Sequence, residues 1–235
     1  MTEAPDNNLL DPELHRDSCG FGLIANLDDL PSHWVVATAI EALARLTHRG
    51  AVAADGKTGD GCGLLIKFPE SFLRAVGEEL GFRLAKRFAA GTVFLGQDEA
   101  EASAARETIN LAIADKGLEV AGWREVPVDP SACGAQALAT MPRIEQVFVN
   151  ARDTLPRGAF NRKLFLARRR AEKMLGDDDA YVASLSSATI SYKGMVMPAA
   201  LPDFFSDLRD PRMESSVCVF HQRFSTNTLP QWTLA

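Results

Sequence analysis

Apolar positions change period several times along the chain, and each change marks an element. From Cys19, "CGFGLIANL" is a continuous apolar run interrupted only by Gly20 and Gly22, which predicts a buried strand with close backbone approach. In "PSHWVVATAIEALARLTHRG", Val35, Ile40, Leu43 and Leu46 recur at roughly helical spacing between the start signals Pro31 and Ser32 and the stop at Gly50. "TGDGCG" reads as a turn and "LLIKF" as the strand after it. "SFLRAVGEEL", "DEAEASAARETINLAIADKG" and "FNRKLFLARRRAEKML" are helical, whereas "AGTVFLG", "LEVAGWREVPV" and "IEQVFVNA" are extended. A strand-rich end follows: "AYVASLSSATISYKG" is a hairpin or two successive strands, "ALPDFFSDLRD" a short helix and "SSVCVFHQRFS" a further strand. Alternation of this kind predicts layers of sheet and helix, with a long α/β section over about residues 69–178.

Composition narrows the classes. In 235 residues, 46% are hydrophobic and 24% charged, an ordinary globular balance, and the net charge of −6 argues against a general nucleic-acid binder. No apolar run approaches the roughly 20 residues that span a bilayer. Residues 1–18 carry Glu3, Asp6, Asp11, Glu13 and Asp17 against Arg16, the opposite of an export signal, so a cytoplasmic location is expected. The four cysteines, at 19, 62, 133 and 218, are far apart and contain no C-x-x-C pair, which gives neither a zinc knuckle nor an iron–sulfur run.

Several stretches invite a chemical reading, and each has a plain alternative. The six Lys and Arg residues of "NRKLFLARRRAEK" fit a solvated helix face, because Phe160, Leu164, Ala167, Ala171, Met174 and Leu175 lie near one another on the other side. "TGDGCG" lacks the Lys-Ser/Thr of a phosphate loop and lies between helix and strand, the reverse of the dinucleotide order. His48, Arg49 and Gly50 close the first helix, where basic residues complement its dipole. "HQRFSTNT", residues 221–228, follows an apolar strand and offers Arg223 with several hydroxyls, suited to a carboxylate or simply a polar loop. Cys19 is a buried structural cysteine, or else a nucleophile made first in the chain by removal of residues 1–18. Cleavage would turn an amide into an α-amine with a pKa of roughly 7.7–8.0, placing a base beside the thiol.

In order, "CGFGLIANL", "EALARLTHRGAVAADGKTGDGCG", "YVASLSSATISYKG" and "HQRFSTNT" resemble the amino-terminal domain of the glutamate synthase large subunit, a class II (N-terminal-nucleophile) glutamine amidotransferase. The resemblance spans nearly all of the chain after a leader at 1–18. It implies an α+β fold, a four-layer αββα sandwich of the N-terminal-nucleophile hydrolase type, incomplete at its C-terminal end and carrying the long insert. It implies Cys19 as nucleophile toward the side-chain amide of L-glutamine, through a thioester. Arg223, with Thr226, is implied as the binder of the α-carboxylate, and Arg49 as a softer match that orders the pocket.

Two departures stand out. Cys62 replaces the alanine usual in "GDGAG", one small residue for another. The family's "HNGE" segment, which supplies the oxyanion hole, and an aspartate for the substrate amine lie beyond Ala235. Loss of one oxyanion donor typically lowers kcat about a hundred- to a thousandfold, so the 235 residues alone are expected to be inactive. The resemblance assigns no cofactor to this segment. In the complete protein it implies FMN and an iron–sulfur cluster in a distant domain where the ammonia aminates 2-oxoglutarate, and a small reductase subunit as partner. Two alternatives remain: an inactive truncated domain that only binds, and the glutaminase domain of another class II amidotransferase.

Overall fold

A computed structural model describes residues 19–151, 155–176, 180–225 and 228–235. The fold is α+β and contains two four-stranded antiparallel sheets. The first sheet has the order β1-β8-β2-β7, from Gly20–Ala25, Val217–Gln222, Thr58–Lys67 and Thr189–Val196. The second has the order β4-β5-β3-β6, from Glu119–Glu125, Arg143–Asn150, Phe88–Leu95 and Ala180–Val182. Its strands and two long helices follow a β-α-β-β-α-β sequence, the split-βαβ arrangement.

Those helices are α3, Glu99–Ala114, and α5, Arg157–Met174. Asp98 caps α3, its carboxylate accepting from the N–H groups of Ala100 and Glu101 at 2.9 and 3.0 Å, and Glu99 and Glu101 complement the dipole of the first turn. On α5, Phe160, Leu164, Ala167 and Ala171 are buried and join Ile109 and Ile113 of α3 over Ala89, Val93, Val147 and Val149 of the sheet. The basic side of α5 faces outward, as its spacing predicts, but Met174 is 51% exposed because the apolar stripe ends one turn before it.

The opposite face of the second sheet, with Phe88, Phe94, Ile144 and Phe148, shares one core with Leu64, Ile66, Ile190 and Tyr192 of the first. Helix α1, His33–Ala44, adds Val35, Val36, Ala39 and Leu43 to it. A buried polar cluster ties the two sheets together. Arg124 of β4 donates to Gln146 Oε1 at 2.9 and 2.6 Å and to the Asp207 carboxylate, which also accepts from the Tyr192 hydroxyl at 2.8 Å. Gln146 Nε2 donates to Tyr192 at 3.2 Å, so each member is satisfied by another. Burial, then the Asp207 carboxylate, pushes the Tyr192 phenol well above its ordinary range.

Two local expectations are corrected. "TGDGCG" is not a turn: it forms the first six residues of β2. Gly61, at φ +123°, sits where the β2–β7 register shifts, so a glycine-rich start accommodates a bulge within the strand rather than a reversal of the chain. The first helix stops at Ala44, and Thr47–Arg49 form a separate 3-10 turn. Of the two readings of "AYVASLSSATISYKG", successive strands is the one found, β6 pairing with β3 and β7 with β2. Short helices at Glu70–Glu79 (α2) and Leu201–Phe204 (α6) fall where the sequence places them, whereas the five-residue α4, Ala135–Ala139, was too short to show a period.

Arg124→Met leaves Asp207 buried without its cation and is expected to destabilise the fold by about 3–5 kcal/mol. Combining it with Asp207→Leu is expected to recover much of that loss, and urea unfolding of both variants measures it.

Candidate active site

Antiparallel pairing sets Gly20 of β1 opposite Gln222 of β8, which carries Cys19 to the residues just beyond the end of β8. The Cys19 thiol is exposed. Its Sγ lies 3.4 Å from the Phe224 amide nitrogen, which donates to it, and 3.9 Å from the Phe224 carbonyl oxygen. An N–H aimed at sulfur is the polarity that a nucleophilic thiolate accepts.

Arg223 stands next to this contact. Its backbone N–H donates to the Gly61 carbonyl at 2.8 Å, extending the strand pairing by one residue. Its guanidinium donates to the Asp60 carbonyl at 3.3 Å and to the Thr228 hydroxyl. Arg49 reaches the same region from the 3-10 turn, its aliphatic stem lying against Gly20. The turn comes this close because residue 50 is glycine: a Cβ there would stand 1.8 Å from the Gln222 amide nitrogen. Cys19, Arg223 and the stem of Arg49 are thus brought together. Thr226 lies outside the described residues, as does the expected leader at 1–18.

Two residues that the sequence reading assigned no role hold this arrangement in place. Asp60 is 6% exposed, and its Oδ2 accepts from the N–H groups of Ser225 at 2.7 Å and Ala51 at 3.3 Å. One carboxylate therefore fastens the segment after Arg223 to the segment after Gly50. The available signal was an aspartate between two glycines within an otherwise apolar strand. Gln222 is fully buried and donates from Nε2 to its neighbour's carbonyl, Arg223 O, at 3.3 Å. Its Oε1 and the Ser225 hydroxyl are the buried side-chain polar atoms without a hydrogen-bond partner among the described residues.

The other thiols are chemically different. Burial pushes Cys62 far above its ordinary range, and its Sγ lies 3.3 Å from the Val196 carbonyl. Burial, then Asp129, pushes Cys133 up to about 11, and burial pushes Cys218 to about 11. Burial first, then Lys193 and Arg223, hold His221 below the usual imidazole range. Among the described residues, no group of three or more His, Cys, Asp or Glu side chains is placed to hold a metal ion. No helix among them is long and apolar enough to cross a membrane. A cleft of about 850 Å³ lies at the far end of the first sheet, beside Asp29, Lys67, Arg87 and Ser216, and contains none of the site residues.

The family model for "Glutamine amidotransferases class-II" matches residues 19–235. The chain belongs to the class II glutamine amidotransferases. Within this family it is similar to the "Glutamate synthase [NADPH] large chain" of Azospirillum brasilense, 41% identical over 233 residues, covering 97% of this chain and 15% of that one. The protein of the same name from Bacillus subtilis (strain 168) is 39% identical over 227 residues, covering 95% and 15%. "Ferredoxin-dependent glutamate synthase 1, chloroplastic/mitochondrial" of Arabidopsis thaliana is 39% identical over 234 residues, covering 97% and 14%. The amidotransferase chain therefore spans about 15% of the length of these relatives.

With one thiol exposed and three buried, iodoacetamide near pH 8 is expected to modify Cys19 alone, and Cys19→Ser to abolish the modification. Peptide mass mapping measures this; equal labelling of Cys62, Cys133 or Cys218 contradicts it.

Proposed function

We propose that this chain is the glutaminase segment of a glutamate synthase. Its work is to hydrolyse L-glutamine to glutamate and ammonia, with Cys19 as nucleophile. One observation carries the reading: the exposed Cys19 sulfur lies against the Phe224 N–H, one residue beyond an arginine that is half-buried at the end of β8. In this reading residues 1–18 are removed, and the new α-amine takes the thiol proton. The thiolate attacks the side-chain carbonyl carbon of glutamine. The C–N bond then breaks, the nitrogen leaves as ammonia with the proton returned to it, and a thioester remains. Water adds to the thioester and the C–S bond breaks, giving glutamate and restoring the thiol. Arg223, with Thr226, binds the α-carboxylate, for which a planar guanidinium is suited. Arg49 orders the neighbouring turn.

The four-layer αββα arrangement belongs to the same proposal. On the first sheet, the face that bears Cys19 also carries Phe21, Leu23 and Leu65, which are 82%, 59% and 40% exposed. An apolar face of that kind suits a further sheet stacked on it. The chain spans about 15% of the length of its glutamate synthase relatives, so the full-length protein is the unit to assay. In it the ammonia would be passed to 2-oxoglutarate in another domain, with FMN, an iron–sulfur cluster and a small reductase subunit supplying electrons. Among the described residues, no group of His, Cys, Asp or Glu side chains is placed to hold an iron–sulfur cluster.

A diazoketone analogue of glutamine is expected to label Cys19 stoichiometrically in the full-length, processed protein, with labelling lost in Cys19→Ala. Arg223→Met is expected to raise KM for glutamine about ten- to a hundredfold, the factor for a lost charge-assisted contact. Labelling that survives Cys19→Ala removes the nucleophile assignment; an unchanged KM removes that of Arg223.

A further inference from the structure

Residues 228–235 pack against the first sheet, and three contacts fix them. Thr228 accepts from the Arg223 guanidinium. Trp232 donates from Nε1 to the Ala137 carbonyl at 3.0 Å and packs against Phe94 and Phe204. The Thr233 carbonyl accepts from Lys193 Nζ at 2.8 Å.

Lys193 is placed for this by its strand. In the register of the first sheet, Gly63 is opposite both Lys193 and His221, so the three form one row across β7, β2 and β8 on the face that bears Cys19. A Cβ on Gly63 would stand 2.7 Å from Lys193 Cβ, so glycine leaves the space through which the lysine stem passes. The ammonium lies 4.6 Å from the centre of the Tyr181 ring and 3.3 Å from its hydroxyl, on β6 of the second sheet. It therefore joins three parts of the molecule: the sheet that carries the nucleophile, the second sheet, and the 228–235 strap, whose Thr228 meets Arg223.

We propose that Lys193 is a positioning residue for glutamine binding: its ammonium clamps the 228–235 strap and so fixes the Arg223 guanidinium, while adding positive charge to the pocket that receives the α-carboxylate. This rests on the glutaminase reading above. The charged groups that act on Lys193 are Arg168 of α5 and Arg223 at the end of β8; the His221 imidazole lies in the same row and the phenol of Tyr181 faces it from β6. No carboxylate forms an ion pair with it among the described residues. Burial, followed by Arg168 and Arg223, lowers its pKa to about 8. The sign follows: the clamp is charged below about pH 8 and neutral above it, so affinity for glutamine falls as pH rises through that value. Stability moves oppositely. The folded chain binds fewer protons at this site than the unfolded chain between about 8 and 10.5, so this group's contribution to stability rises with pH there.

Those opposed trends separate positioning from mere packing. Steady-state glutamine hydrolysis by the full-length protein is measured from about pH 6.5 to 9.5, with thermal unfolding alongside, for the wild type, Lys193→Met and Lys193→Arg. Lys193→Met is expected to raise KM about tenfold at pH 7 with kcat within about twofold, and to flatten the pH dependence of KM. Lys193→Arg, which stays charged, is expected to keep a low KM beyond pH 9. The proposal is overturned by an unchanged KM in Lys193→Met, by KM, kcat and Tm declining together in both variants, or by the wild-type alkaline rise persisting in Lys193→Arg. A wild-type protein that does not hydrolyse glutamine overturns the glutaminase reading and this proposal together; a glutaminase indifferent to residue 193 overturns this proposal alone.

Discussion

The pairing of β1 with β8 is the constraint on which the site depends. It joins residues about 200 positions apart, and among the described residues β8 is the one strand to which β1 is hydrogen-bonded. Register then decides geometry. With Gly20 opposite Gln222, the thiol falls beside Phe224; a slip of one residue would exchange the two faces of β1 and carry Cys19 away from the residues it meets. The alternation of β8, with Cys218, Phe220 and Gln222 turned into the core, is what pins that register.

Around this pairing, polar groups do the fastening. Asp60 links the backbone on both sides of the site, and the Arg124–Asp207–Tyr192–Gln146 cluster links the two sheets deeper in the core. Each replaces backbone or side-chain hydration with a specific partner. Loss of one member therefore weighs more than the net worth of the bond, because it leaves a buried group unpaired. The apolar contacts determine that the sheets pack; these polar contacts determine in which relative position.

Much of this was legible in the chain. Helices α3 and α5 announced themselves through the spacing of their apolar residues, and Cys19, Arg49 and Arg223 stand close together in space. The strand within "TGDGCG" did not, because glycine has no side chain and so contributes no alternation; only its two partner strands reveal it. Asp60 was passed over for the same reason, since a carboxylate beside glycines looks like turn chemistry until the loops it binds are seen. The separation of β6 from β7 into different sheets depends on contacts with β3 and β2, which no local pattern encodes. Lys193 likewise looks like an ordinary strand residue, and its neighbours Tyr181 and Thr233 lie on separate elements.

The nesting of the second sheet inside the first has a consequence for the order of folding. Residues 88–182 can complete their β-α-β-β-α-β unit from neighbours in sequence, while β1 has no partner until β8 exists. Contacts of such separation form slowly, and on a growing chain they form last. The strand made first is thus the one paired latest, and its thiol spends synthesis without the backbone amide that later faces it. The contact between Cys19 and the Phe224 N–H is therefore among the last to form in the life of the chain.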